Sequence, residues 1–358
     1  TSLPEASTFP GLGRESGWRR WIDGNLSGIV PNSQDKNEAV FYSRSTLFKT
    51  TDAAATIAES ATGWTGYAWT WTDNAAVFDR FDSSRFALFC NDVGTKFTTT
   101  GGDWFHENTN PQAWTWYKEG KVEWYGTLSG DFYPEEGSEI MVASIGYYWK
   151  TQLMRTENLG KSWTLVTEGD ADENMNLFIA FNPEHPNVVY AGNKYSTDAG
   201  KTFTTFPFPV KYYNSYVVGM CNAYPDVIFA MDENCTVILR SCDQGQHWQV
   251  YAKPDWRFKY FDSLPTFAAD PHNPDKVYTL DRTHDLACYD GEKWTPFNVE
   301  DHVDRDISYN YIRNVAVDPN DSDIIYAGMF ASGGSMVMRT LDGGETWEDI
   351  SYNLSRMG

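Results

Sequence analysis

A short polar hairpin sequence recurs seven times along this chain of 358 residues. It is best preserved as Ser196-Thr197-Asp198-Ala199-Gly200-Lys201-Thr202-Phe203 and as Thr340-Leu341-Asp342-Gly343-Gly344-Glu345-Thr346-Trp347. Looser copies begin at Thr50, Thr98, Thr156, Ser241 and Tyr289; Ala54 stands for the glycine in the first copy, and Asn158 for the aspartate in the third. The residue types suit a tight turn: Asp or Asn caps backbone N–H groups, Gly takes positive φ, and the aromatic tucks under a neighbouring strand. A unit repeated at intervals of roughly 40–60 residues is one blade or one solenoid turn, so the repetition constrains the architecture before any residue has a role.

A second piece recurs upstream of several hairpins. It runs from Phe181-Asn182-Pro183 to Val189-Tyr190, from Ala269-Asp270-Pro271 to Val277-Tyr278, and from Val317-Asp318-Pro319 to Ile325-Tyr326. A short apolar run, a Pro/Asn/Asp turn and a β-branched run ending in Tyr thus lead to a third strand, the polar hairpin and a fourth strand. The expected fold is all-β, a seven-bladed β-propeller of four-stranded antiparallel blades in a single domain. Blades are expected near residues 28–60, 75–107, 122–167, 176–206, 215–252, 265–298 and 311–351, with 1–27 an N-terminal extension or ring-closing strand.

The hairpins resemble Asp boxes, the BNR-type Ser/Thr-x-Asp-x-Gly-x-Thr-Trp/Phe repeat of sialidases, xyloglucanase-type glycoside hydrolases, sortilin-like receptors and a photosystem assembly factor. This resemblance covers nearly the whole chain and implies the propeller. A typical sialidase also carries Phe/Tyr-Arg-Ile-Pro near its N-terminus, which is absent here. The Asn/Asp-Pro turn feeding Val-Tyr is most similar to the xyloglucanase-type propellers. Activity in such folds is decided by the site and not by the scaffold.

Composition narrows the partners. A net charge of −21 argues against nucleic acid or an anionic membrane surface, both of which need clustered Lys and Arg. No apolar run is long enough to span a membrane. The opening Thr1-Ser2-Leu3-Pro4 lacks a charged and then apolar leader, so the expectation is a secreted chain whose signal peptide has been removed. Cys90, Cys221, Cys235, Cys242 and Cys288 lack metal-ligand spacing, and most are expected to be buried thiols. No cofactor motif is present; Asp170-Ala171-Asp172-Glu173 and Asp301-His302-Val303-Asp304 are the runs that could take a structural calcium.

In a propeller blade the turns joining strands one to two and three to four lie on one face. The two-to-three turns and the blade-to-blade crossings lie on the other, where ligand chemistry is expected because the polar hairpins occupy the first. Surplus aromatics fall in those loops. Trp64, Trp69 and Trp71 lie in the first crossing, Trp114 and Trp116 in the second, and Tyr148 and Trp149 in a long turn of the third blade. Later crossings hold Lys211, Tyr212, Tyr213 and Asn214, then Trp256 and Arg257, then His302, Arg305 and Tyr309. Flat rings suit the C–H faces of sugars and charged or amide groups take their hydroxyls, so these residues are candidates for binding a polysaccharide or oligosaccharide. The competing reading is that the rings fill space between blades. Trp69-Thr70-Trp71 and Trp114-Thr115-Trp116 read by alternation as strands with one aromatic face.

Asp92-Val93-Gly94-Thr95 is similar to the Asp-Ile/Val-Gly-Gly element that holds a catalytic aspartate in xyloglucanase-type propellers, and departs from it at Thr95. The resemblance implies a catalytic Asp92. Hydrolysis with inversion needs a second carboxyl across the cleft, and Asp304 and Asp306 are the expected partners. In those enzymes the two carboxylates come from two facing propellers, which implies a second propeller or another domain of a larger protein. Two further readings stand beside hydrolysis. One is a polysaccharide lyase acting on uronate chains through His302, Arg305 and Tyr309 facing Arg257, Lys259 and Tyr260; the other is a non-catalytic glycan-binding or protein-interaction propeller.

Overall fold

A computed structural model of the chain describes every residue except 1–25, 44–46, 57, 60–75, 91–93, 104, 106–111, 123, 148–149, 168–177, 259–264, 304–309, 332–333 and 352–358. The β-branched and aromatic runs form seven small antiparallel sheets, each of consecutive strands paired in chain order. Six have four strands; the second has three among the described residues. The innermost strands are Leu26–Pro31, Ala76–Phe78, Thr127–Phe132, Ile179–Phe181, Tyr216–Cys221, Phe267–Ala269 and Asn310–Asp318. Neighbouring sheets touch chiefly through these strands, and the first also touches the seventh. The result is a closed ring, the seven-bladed propeller expected from the repeats.

The apolar core lies between blades. Seven buried clusters fill the seven seams, each drawing side chains from two adjacent sheets. At the closing seam Ile29, Ala39, Phe41 and Ala54 of the first blade meet Tyr326, Val337 and Ile350 of the last. Arg339 donates across the same seam to the Ala53 carbonyl.

Each polar hairpin locks itself. The Ser196 hydroxyl donates to Asp198 and accepts from the Gly200 N–H at 2.9 Å, while Asp198 accepts from the Thr202 N–H at 2.9 Å and its hydroxyl at 2.7 Å. The same pattern recurs at Thr50-Asp52-Thr56, Thr156-Asn158-Ser162, Ser241-Asp243-His247 and Thr340-Asp342-Thr346. The Thr98 hydroxyl accepts the Thr100 and Gly102 N–H groups and pairs with the Thr100 hydroxyl in place of an aspartate, and Asp290 caps Glu292 and Lys293. In six blades the fourth hairpin residue donates its N–H to the one-to-two side of the same sheet, as Ala199 does to the Asn187 carbonyl. Hairpins and one-to-two turns therefore share a face.

The second repeat is equally structural. Asn182 donates to the Tyr190 hydroxyl and to Asp226 of the next blade, and that hydroxyl donates to the Pro225 carbonyl. Asp270 accepts from the Tyr278 hydroxyl and from Ser322 of the following blade. Arg80 of the second blade reaches Asp131 of the third and the Phe181 carbonyl of the fourth, while Asp131 accepts the Phe181 N–H at 2.8 Å. Buried polar groups satisfied in this way fix the rotation of one blade against the next.

Two local expectations are corrected. Trp114-Thr115-Trp116 is not a strand but part of a short helix, Ala113–Lys118. Trp116 and Tyr117 turn onto the third blade's core while Trp114 stacks on Tyr117 at 5.5 Å, a spacing of three residues that a helix supplies and a strand does not. Where a long turn was expected in the third blade, strands Met141–Tyr147 and Lys150–Thr156 stay paired up to Tyr147 opposite Lys150. Four of the five cysteines are buried, and Cys242 is exposed.

Candidate functional site on the loop face

The fifth blade shows how the loop face is built. Its strands are Tyr216–Cys221, Tyr224–Met231, Ile238–Ser241 and Gln249–Ala252, so residues 232–237 form the two-to-three turn. Beside that turn lie the incoming crossing, 206–215, and the start of the outgoing one at Lys253. The turn is rigid because Asp232 accepts from the Thr236 N–H at 2.7 Å, the Val237 N–H at 2.6 Å and the Thr236 hydroxyl at 3.0 Å. A 3-10 turn at Val210–Tyr212 shapes the facing loop, and Asn214 bonds Glu233 across the gap at 2.8 Å.

Between them lies a cavity of about 240 Å³ lined by Lys211, Tyr212, Tyr213, Asn214, Ser215, Asp232, Glu233, Asn234, Thr236, Val237 and Lys253. Tyr213 is 68% exposed. The Lys211 ammonium sits 5.5 Å from the centre of the Tyr212 ring. Ser215 is wholly buried, and its hydroxyl has no hydrogen-bond partner. One aromatic wall, two cations and several amide or hydroxyl groups thus converge in one small space, the composition of a polar small-ligand site.

The next crossing carries Trp256 and Arg257. Trp256 is half-buried: its indole donates to the Leu280 carbonyl at 3.1 Å, packs edge-on against Trp294 at 5.4 Å, and lies 6.0 Å from the Arg282 guanidinium. Arg282 is held by both oxygens of Asp255 at 2.7 and 2.8 Å. This ring anchors its loop to the sixth blade, while Arg257 is exposed beside it. Further on, His302 ends the 3-10 turn Val299–His302 and is exposed. The buried carboxylate of Asp285 accepts the Val299 and Glu300 N–H groups at 3.1 Å, and burial raises its pKa. Burial, then the nearby Asp285, Asp281 and Asp301, raise that of Glu300.

The expected site is only partly placed. Tyr213 lines the cavity, and Trp256, Arg257 and His302 lie along the next two crossings. Trp114 is 51% exposed and forms an aromatic patch with Tyr117 and Tyr125 on the third blade, and Trp116 is partly buried in its core. Asp92, Asp304, Asp306, Trp64, Trp69, Trp71, Tyr148, Trp149, Arg305 and Tyr309 lie outside the described residues, as do Lys259 and Tyr260. Ser215, Glu233, Lys253 and Glu300 enter the loop face as further candidates. Among the described residues no group of three or more His, Cys, Asp or Glu could hold a metal, and no helix is long and apolar enough to cross a membrane.

No family model matches the chain, and no curated protein does. Solved structures do match its fold. The GH74 xyloglucanase from Xanthomonas campestris superposes with a TM-score of 0.58 at 13% identity, over 90% of this chain and 53% of that one. An ancestral GH74 enzyme gives 0.58 at 13% identity, over 92% and 46%. YCF48 from Cyanidioschyzon merolae gives 0.53 at 12% identity, over 76% and 83%. The chain spans about half the length of the two GH74 structures. At these identities the likeness is one of fold.

Proposed function

We propose that this protein is an extracellular, carbohydrate-active propeller that engages a polysaccharide on its loop face. The observation that carries the reading is the cavity between residues 206–215 and 232–237, where an exposed tyrosine ring stands among lysine, amide and hydroxyl groups. Arg257 and His302, exposed along the next two crossings, extend the surface a chain of sugars would cross. The GH74 enzymes with which it shares a fold make polysaccharide cleavage the first chemistry to test. In that reading Asp92 is one catalytic carboxyl and Asp304 or Asp306 the other, with a second propeller or domain completing the cleft.

The test is incubation with neutral β-glucans and with uronate polysaccharides, followed for new reducing ends, for the ultraviolet absorbance of an unsaturated product, and for retention on immobilised glycan. Reducing ends without absorbance support hydrolysis, and Asp92→Asn should then abolish them. Absorbance would replace hydrolysis with lyase chemistry, and retention alone would leave a binding module. Absence of all three sinks the carbohydrate reading.

A further inference from the structure

We infer that the cavity of the fifth blade recognises the carboxylate-bearing ring of an acidic sugar, a uronate, through Lys211 and Lys253. The inference rests on the loop face being a glycan site and goes beyond it by naming the charge of the sugar. Cations are outnumbered in this chain: Lys and Arg together number 28 against 49 Asp and Glu. Yet two lysines from different loops line one cavity of about 240 Å³. Neither forms an ion pair among the described residues, although two carboxylates line the same space. Those carboxylates are engaged elsewhere: Asp232 accepts the N–H groups and hydroxyl of its own turn, and Glu233 takes the Asn214 amide. Neither ammonium group is held by these carboxylates, and a lysine ammonium is a compact charge with three donors for an incoming anion.

A second, independent feature points to a ligand. The Ser215 hydroxyl is completely buried beside the cavity and has no partner, and a buried hydroxyl is costly to leave unpaired. A ligand hydroxyl or a bridging water would satisfy it. Tyr213 offers the flat apolar face, and Asn214, Asn234 and Thr236 supply donors and acceptors for ring hydroxyls. The volume lies below the roughly 300–1,000 Å³ of drug-sized pockets, so a single ring and not a long chain segment is what it can enclose.

The experiment is calorimetric titration of the purified protein with tri-galacturonate and tri-glucuronate, and with their methyl esters, which keep the rings but lose the charge. Acetate and a neutral oligosaccharide of equal length serve as further probes. The acid of at least one pair should bind tenfold or more tighter than its ester, with an advantage that shrinks as salt rises. Lys211→Gln and Lys253→Gln should each reduce acid binding about tenfold and leave ester binding unchanged. Both lysines are exposed, so thermal midpoints should stay at the wild-type value. Equal affinity for acid and ester, acetate binding as tightly as the sugar acid, or wild-type affinity in the double lysine variant would each overturn the inference. Binding of the neutral oligosaccharide alone would overturn it while leaving the glycan reading intact; binding of no sugar at all would remove both.

Discussion

Gly245 sits at φ +85°, and a methyl group added there would lie 2.1 Å from Cε1 of Phe206 in the preceding blade. Gly344 meets Phe297 in the same way at 2.2 Å, so the hairpin glycine is required twice, by its backbone and by the seam it closes. Gly245→Ala should therefore cost about 2–4 kcal/mol, left-handed strain adding to overpacking. A fall in the denaturant midpoint at unchanged slope checks it. Ala54 is the natural contrast: it has φ +65° and is buried in the seam with the last blade. Replacing it by glycine relieves about 1 kcal/mol of strain but exposes about one methyl's worth of burial and frees the unfolded chain. The opposing effects leave Ala54→Gly within about 1 kcal/mol of neutral; a larger shift in either direction would show that one of them dominates.

At the scale of the element, the polar hairpin couples stability to pH. The Thr340 hydroxyl first, then the Thr346 hydroxyl and N–H, hold the Asp342 carboxyl well below the usual carboxylate range, and Asp52 is lowered by Thr56 in the same way. A carboxyl whose folded pKa lies below its unfolded one stabilises the fold above the ordinary carboxylate range, and loses that contribution as pH falls through it. Asp342→Asn, the residue type that Asn158 already shows to fit, should lower the thermal midpoint at neutral pH and flatten its acid limb, so that the two curves converge as pH falls. A melting series from pH 7 down to pH 3 reads the difference, and an unchanged acid limb would mean that the hairpin carboxylates do not govern it.

The bonds by which the Ser/Thr and Asp of each hairpin cap its own turn lie within eight residues, which is why the hairpins were legible in the sequence. Trp114-Thr115-Trp116 was misread because two alternate rings fit a strand and a helix alike; the decision comes from the third blade's core, far away in the chain. The cavity was legible through Lys211, Tyr212, Tyr213 and Asn214, which lie on one crossing. Lys253, Ser215 and Glu233 carry no local signal, and they meet because the antiparallel order of the fifth sheet brings three separate loops to one end.

The whole molecule is held by its seams. Closure uses the same side-chain packing as the other six junctions, since each described sheet is built from consecutive strands with none exchanged between blades. Phe41→Ala in the closing seam and Phe229→Ala between the fifth and sixth blades should thus cost similar amounts, about 3–5 kcal/mol each. A Phe41 effect far smaller than the Phe229 effect in paired equilibrium unfolding curves would contradict side-chain closure. Asp131 is a polar counterpart: its buried carboxylate joins Arg80 and the Phe181 N–H, and burial raises its pKa. Asp131→Ala should destabilise by about 3 kcal/mol, because it strands the groups that remain.

The propeller divides its two faces, with self-satisfied hairpins on one and convergent loops on the other. Amide hydrogen exchange with and without a saturating oligosaccharide tests that division most directly. The account predicts slowed exchange in residues 210–215 and 232–237 and around 253–258, with the hairpins at 196–203 and 340–347 unchanged. Protection confined to those hairpins, or no protection on the loop face, would contradict it.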